Sequence, residues 1–228
     1  MAGIDELSAL NGRATSELIA DQLREHILRG AFPPGAQMIE AQLAARLEVS
    51  RGPVREALQR LSQEGLLVSR RNRGVFVPEL TATDIAEVYW ARKAVETAAA
   101  EAMLTFGTVP VEQTAQRLRE IVDRMSSVVA DTSWSRVAEV DMAFHSTFVD
   151  GSGNSRLSRI NATLAAESRI CMVNLKSAYR RPDSLVDEHQ RIVDLLVAGD
   201  RDELCREIGR HMDKAVDDLT ASMDQSIS

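Results

Sequence analysis

Four histidines occur in the 228-residue chain, and three of them, His145, His189 and His211, fall in its second half on three separate predicted helices. Asp141 stands four residues before His145, which places a carboxylate and an imidazole on one helix face. A carboxylate with imidazoles arriving from three helices makes a ligand set for a borderline divalent ion, zinc foremost and nickel second, with positions left for water or an organic ligand. Spacing by itself leaves other readings open. An Asp-x-x-x-His pair also describes a solvated pair or a local hydrogen bond, and His189 and His211 taken singly are also surface or satisfied core histidines. The same donors describe non-haem iron and hydrolytic zinc enzymes, with Glu188 beside His189 as the neighbour to watch for a general base. His26, amid Arg24, Glu25 and Arg29, reads as structural or solvent-facing.

A second constellation is basic. Arg51, Arg55 and Gln59 recur every four residues and form a ridge beside the apolar stripe of Val54, Ala57, Leu58 and Leu61. Such a ridge suits a DNA major groove, where Arg pairs with guanine O6 and N7 or clamps phosphate, and Gln reads adenine. Arg70, Arg71 and Arg73 cluster next to Gly74, which lets the backbone come close to a sugar-phosphate chain or a narrow minor groove. Singly these arginines are an ordinary solvated face; as an ordered set they point to DNA.

The elements that must position these groups are helices. Hydrophobic residues make up 44% of the chain, enough to bury a core, and aromatics only 4%, which favours helix over a β-sandwich or barrel. Helical periodicity predicts a first helix from Ser16 to Leu28, a second over 40–47 and a third over 51–64 with Ser50 as N-cap and Pro53 in the first turn. Two β-prone runs at 66–69 and 74–77 flank the basic tip as a hairpin. Beyond Thr83 the pattern predicts six helices, at 83–105, 111–130, 135–151, 154–179, 184–198 and 201–223, forming a bundle. The expected organisation is a flexible N-terminus at 1–12, a DNA-binding domain at 13–78, a linker at 79–82, a helical domain at 83–223 and a tail at 224–228. The fold class is mainly α: an N-terminal winged helix-turn-helix followed by an all-helical bundle. Cys171, Cys205, Trp90, Trp134 and the methionines are read as core fillers.

The net charge of -7 conceals a split between the halves. Residues 1–78 carry ten arginines against nine carboxylates, and residues 79–228 carry 17 basic groups against 25 acidic ones. A local basic face decides phosphate contact, not the chain average. Two cysteines without a CxxC spacing exclude a disulfide framework or a zinc finger. With no apolar run of membrane-spanning length and no signal-peptide pattern, a soluble cytoplasmic protein without a membrane partner is expected.

The stretch Leu43-Ala44 through Val49-Ser50-Arg51-Gly52-Pro53-Val54-Arg55-Glu56-Ala57-Leu58, followed by Leu61, Glu64-Gly65-Leu66-Leu67 and Arg73-Gly74-Val75-Phe76-Val77, resembles the winged-helix domain of GntR-type bacterial transcription regulators over about 15–78. The resemblance implies a homodimer on a short palindromic operator, with Arg51 and Arg55 as principal contacts and Gly74 in the wing; Gly52, Gln59, Arg71 and Arg73 complete the DNA-facing set. Ala41 departs from the pattern, since many members place Arg there, and a shifted operator preference is expected. Asp141-Met142-Ala143-Phe144-His145, Gly153-Asn154, Glu188-His189-Gln190-Arg191-Ile192 and Gly199-Asp200 through His211 resemble the FCD effector domain of the FadR branch over roughly 83–222. That resemblance maps a metal-binding Asp and three His onto Asp141, His145, His189 and His211, and implies a small organic acid docking on the metal. Arg92 matches an arginine often turned toward the ligand, and its alternative is a plain helix-supporting pair with Glu96. The expectation is a ligand-responsive regulator, a repressor by the family's habit, and not an enzyme. The rivals are a metal-dependent enzyme and a metal-stabilised regulator without an effector.

Overall fold

The computed structural model describes residues 13–107, 111–130, 134–174 and 182–225. The expected lead-in at 1–12, the breaks at 108–110, 131–133 and 180–181, the helix end expected at 175–179 and the last three residues of the tail lie outside them, as does the side chain of Trp134. The described residues form α1 (Thr15–Leu28), α2 (Glu40–Leu47), α3 (Arg51–Gln63), β1 (Val68–Arg70), β2 (Gly74–Phe76), α4 (Ala82–Phe106), α5 (Val111–Ala130), α6 (Trp134–Gly151), α7 (Ser155–Asn174), α8 (Pro182–Ala198) and α9 (Arg201–Gln225). The chain is thus an N-terminal winged helix-turn-helix followed by a helical domain.

In the N-terminal unit the apolar stripe of α3 packs on α1 and α2. Val54, Ala57, Leu58 and Leu61 are buried with Ile19, Leu23, Ile27 and Ala44, and each large aliphatic group so buried contributes about 1.5–3 kcal/mol. Ser50 occupies the N-cap position of α3 with extended backbone, yet its side chain makes no capping hydrogen bond. Pro53 is tolerated because the first-turn N–H groups have no intrahelical acceptor. Arg24 on α1 grips Glu64, at the C-cap of α3, through Nε and Nη2, both at 2.9 Å.

The hairpin is shorter and starts later than the sequence predicts. Leu66 and Leu67 are buried under α3, and both N–H groups donate to the Leu61 carbonyl, so this pair is the turn out of the helix and not strand. Strand pairing begins at Val68 opposite Phe76 and ends at Arg70 opposite Gly74. Asn72 adopts a left-handed φ of 58° in the tip, a conformation that Asn tolerates better than most residues. Gln37 bridges to Phe76, and Met38 N–H donates to Val75 O at 2.8 Å, which ties the wing to the segment before α2.

The helical domain starts one residue earlier than predicted. Thr81 and Asp84 form a reciprocal capping box ahead of α4, Thr81 N–H donating to Asp84 Oδ2 at 2.7 Å and Asp84 N–H to Thr81 Oγ1 at 3.2 Å. At its far end α9 runs on to Gln225, two residues beyond the predicted boundary. One apolar cluster joins α4, α5, α6, α8 and α9, and a second joins α4, α6, α7 and α9. Between them lie the inner faces of α4, α6, α8 and α9, which carry the candidate site. α7 is shared between domains: Cys171, Met172 and Val173 pack in the bundle, while Ile170 and Ala166 join the core of the N-terminal unit. Trp90 departs from its reading as a core filler, being 74% exposed on α4. Cys171 is buried as expected and Cys205 only partly so.

Candidate metal centre and nucleic-acid interface

Asp141 and His145 project from α6, His189 from α8 and His211 from α9, all buried, and one ligand atom from each lies within 4.8 Å of the others. His145 Nε2 is 3.3 Å from His189 Nε2 and 3.2 Å from His211 Nε2, and His189 Nε2 is 3.1 Å from Asp141 Oδ1. The sequence-predicted quartet therefore meets at one point.

The outer ring nitrogens determine what these inner atoms can be. His189 Nδ1 lies 2.7 Å from the Leu185 carbonyl, which can only accept, so Nδ1 carries a proton and Nε2 is the nitrogen left to ligate. His211 Nδ1 lies 3.0 Å from Glu188 Oε2. Burial raises the Glu188 carboxyl, but hydrogen bonds from His211 and Lys214 outweigh it and hold the group down at about 2, so this oxygen too is an acceptor. His145 Nδ1 lies 2.7 Å from Glu96 Oε2. Burial, then the charge of Arg92, pushes the His145 ring well below its ordinary value, toward the neutral form that ligates metals. Burial raises the Asp141 carboxyl, while the adjacent His189 and His145 and the fixed charge of Arg92 draw it below its ordinary range. With each ring neutral and its proton on Nδ1, three Nε2 lone pairs face one another beside a carboxylate whose buried Oδ1 has no aligned hydrogen-bond donor. Lone pairs at such separations repel, and a divalent cation is one group that satisfies all four. The donor set of three imidazoles and one carboxylate fits Zn²⁺ or Ni²⁺.

Each imidazole has an outer partner, as metal-binding histidines almost always do. Glu96 and Glu188 are the ones sequence reasoning did not assign. Glu188, the neighbour of His189 considered for a general base, lies against His211 Nδ1 with one oxygen and takes Lys214 on the other. Glu96 lies 49 residues from His145, so no local pattern links them. Arg92 is 1% exposed, donates to Glu96 Oε1 through Nε at 3.3 Å and Nη2 at 3.2 Å, and sits over the Tyr89 ring. Burial pushes the Glu96 carboxyl up to about 7 against the pull of Arg92. The pairing with Glu96 foreseen as one of two readings is present, and the Arg92 charge also acts on Asp141 and His145.

The basic set lies at the opposite end of the chain. Arg51, Gly52, Arg55 and Gln59 are exposed along α3, and Arg71, Arg73 and Gly74 are exposed at the hairpin tip. Gly74 has φ 102°, and a Cβ there would come within 3.0 Å of Gln37 Nε2, whose amide donates to Arg73 O at 2.8 Å. Arg70 lies over the Phe76 ring at 4.9 Å. Arg55 is engaged: its Nε and Nη2 donate to the carboxylate of Glu40 on α2 at 2.9–3.2 Å. Nothing in a separation of 15 residues across a turn announces that pair. Among the described residues no helix is long and apolar enough to cross a membrane.

Comparison with known proteins bears on both regions. Residues 15–77 match the family described as bacterial regulatory proteins, gntR family, and residues 87–214 match the FCD domain. The gluconate operon transcriptional repressor of Bacillus licheniformis is 28% identical over 93% of this chain and 89% of its own length. A protein of Paenarthrobacter nicotinovorans named for repression of a D-xylose utilization operon is 30% identical over 85% of each chain. Among solved structures, a GntR transcriptional regulator from Rhodococcus sp. RHA1 is 29% identical with a TM-score of 0.77, covering 90% of this chain and 97% of that one.

Proposed function

The chain belongs to the GntR family of bacterial regulatory proteins, with an FCD domain as its helical half, and on that premise we propose that it is a repressor in which a divalent metal at Asp141, His145, His189 and His211 docks a small carboxylate effector. As a member of that family it is a DNA-binding transcriptional regulator and not an enzyme. The observation that carries the finer reading is the convergence of three histidine Nε2 atoms and Asp141 Oδ1, with the outer nitrogens engaged by Glu96, Leu185 O and Glu188. Zinc suits the donors first and nickel second. When bound, the ion would supply Lewis acidity toward an oxygen ligand.

In this reading His145, His189 and His211 hold the ion, Asp141 neutralises part of its charge, and Glu96 and Glu188 keep two of the rings aimed. Arg92, whose charge reaches the same centre, is the second cationic anchor for the incoming acid. Relatives named as operon repressors support repression, and gluconate, which names one of those operons, is itself a carboxylate. On the DNA side, Arg51, Gly52, Arg55 and Gln59 face the major groove, and Arg71, Arg73 and Gly74 face the backbone or minor groove. Two copies as a homodimer then read a palindrome in the cytoplasm. α7 supports a route between the sites: it packs on α4, α6 and α9 with one face and enters the DNA-reading core with Ile170, so an effector that favours one bundle arrangement shifts the placement of the reader.

A thermal-shift screen of small organic acids, gluconate included, run on the full chain with and without chelator, tests the reading. The expected result is stabilisation by one chemical class of acid, abolished by chelator. An acid shift that survives full metal removal overturns metal docking, and a metal-dependent melting temperature that no acid moves favours a metal-stabilised regulator without effector.

A further inference from the structure

The Glu40–Arg55 pair lies on the surface that α3 presents. Glu40 is the first residue of α2, and its carboxylate takes Arg55 Nε at 3.0 and 3.2 Å and Nη2 at 2.9 Å. Both side chains remain open to solvent, Arg55 at 67% and Glu40 at 33%. The geometry divides the guanidinium. Its Nε–Nη2 edge is committed to the carboxylate, and its other fork, Nη1–H with the outer Nη2–H, points away from Glu40. That free fork is the one that donates two parallel hydrogen bonds to O6 and N7 of a single guanine.

We propose that Glu40 is a positioning residue for base recognition, fixing the rotation of the Arg55 guanidinium so that its free fork meets one guanine edge in each half-site. An unbuttressed arginine on an exposed helix face rotates freely and is as well served by a phosphate as by a base. A carboxylate holding one edge lowers the entropy lost on forming the base contact. Its negative charge, set beside the phosphate chains, disfavours poses in which Arg55 swings to the backbone. The carboxylate of Glu40 is kept below its ordinary range mainly by the hydrogen bond from Arg55, with a further contribution from Arg51, so it stays ionised in the free protein. The inference rests on α3 being the groove-reading helix, and it assigns a function to α2 at the position next to Ala41, where a contact arginine of the family pattern is missing.

The test is selection from a randomised double-stranded DNA library by the full-length protein, its Glu40→Gln and Glu40→Ala variants, and Arg55→Ala, with folding of each checked by circular dichroism. The wild type is expected to enrich a half-site containing a guanine that Arg55→Ala no longer selects. Glu40→Ala is expected to lower preference for that same guanine by about tenfold, and Glu40→Gln, which keeps one acceptor, by about threefold, with other positions unchanged. Affinity of both variants for unselected DNA should hold or rise, because an acid beside the phosphates is gone. If the Glu40 variants select the wild-type guanine undiminished, or weaken all positions equally, the positioning role is overturned while the reading of α3 stands. If Arg55→Ala retains the full motif, or the wild type selects none, the groove reading itself fails and this inference with it.

Discussion

Above a pH of about 7, where the buried Glu96 carboxyl is ionised, Glu96→Gln removes one charge from the wall of the candidate metal centre and almost no volume. Glu96 and Arg92 are each 1% exposed, and the carboxylate stands between the guanidinium on one oxygen and His145 Nδ1 on the other. Removing one partner of a buried ion pair costs about 3–5 kcal/mol. Glutamine keeps a neutral acceptor, so the lower end, about 3 kcal/mol, is expected. In a chain of this length each kcal/mol moves the melting temperature by about 2–4 °C, which gives a fall of about 6–12 °C. Exchanging the carboxylate that faces the His145 ring for a neutral amide should also weaken metal binding by about tenfold. Thermal unfolding and metal competition against a chromophoric chelator read the two effects separately. The double variant Arg92→Met with Glu96→Met should recover stability relative to Glu96→Met alone, since an apolar pair replaces an ionic one, without restoring metal affinity. A Glu96→Gln protein that melts within about 1 °C of wild type and binds metal equally well would refute the buttressing argument.

Other consequences are open to measurement. Ile170→Ala truncates the α7 side chain inside the DNA-reading core and should cost about 2–4 kcal/mol, seen in calorimetry as earlier melting of that unit ahead of the bundle; a single unshifted transition would contradict the docking role of α7. Thr81→Ala breaks the capping box and should lower stability by about 1 kcal/mol at neutral pH. Side-chain and backbone hydrogen bonds from Thr81 hold the Asp84 carboxyl below its ordinary value, so the difference between the two proteins should shrink as pH falls below about 4; a gap independent of pH would argue against the box. Gly74→Ala places a Cβ on a φ of 102°, within 3.0 Å of Gln37 Nε2, and should cost about 1–2 kcal/mol while weakening DNA binding in a gel-shift titration; normal stability and affinity would mean that the wing tip tolerates a side chain.

The long helices were legible in the sequence because their apolar residues repeat at helical spacing and their ends fall at Gly30, Gly65, Gly107 and Gly199, all with positive φ. The hairpin was legible in kind but not in register, since Leu66 and Leu67 have strand-like composition and are claimed by the core beneath α3. Residue type and helix placement put the four candidate ligands forward as one reading among several, the family pattern singled them out as a set, and residue spacing linked Asp141 to His145 and no further. What spacing cannot carry is tertiary pairing, and so Glu96 with His145 and Glu40 with Arg55 emerged only when helices distant in sequence were brought together. Trp90 shows the opposite failure, a large apolar residue that composition sends to the core and packing leaves at the surface.

The most direct test of the central claim is the metal content of the full-length protein, purified without metal-affinity resin, measured by mass spectrometry of the elements beside His189→Ala. About one equivalent of zinc or nickel per chain is expected in the wild type, and near-complete loss in a His189→Ala protein whose helicity is retained. A variant that keeps the full metal complement, or a wild type that takes up no divalent ion when offered it, would contradict the claim.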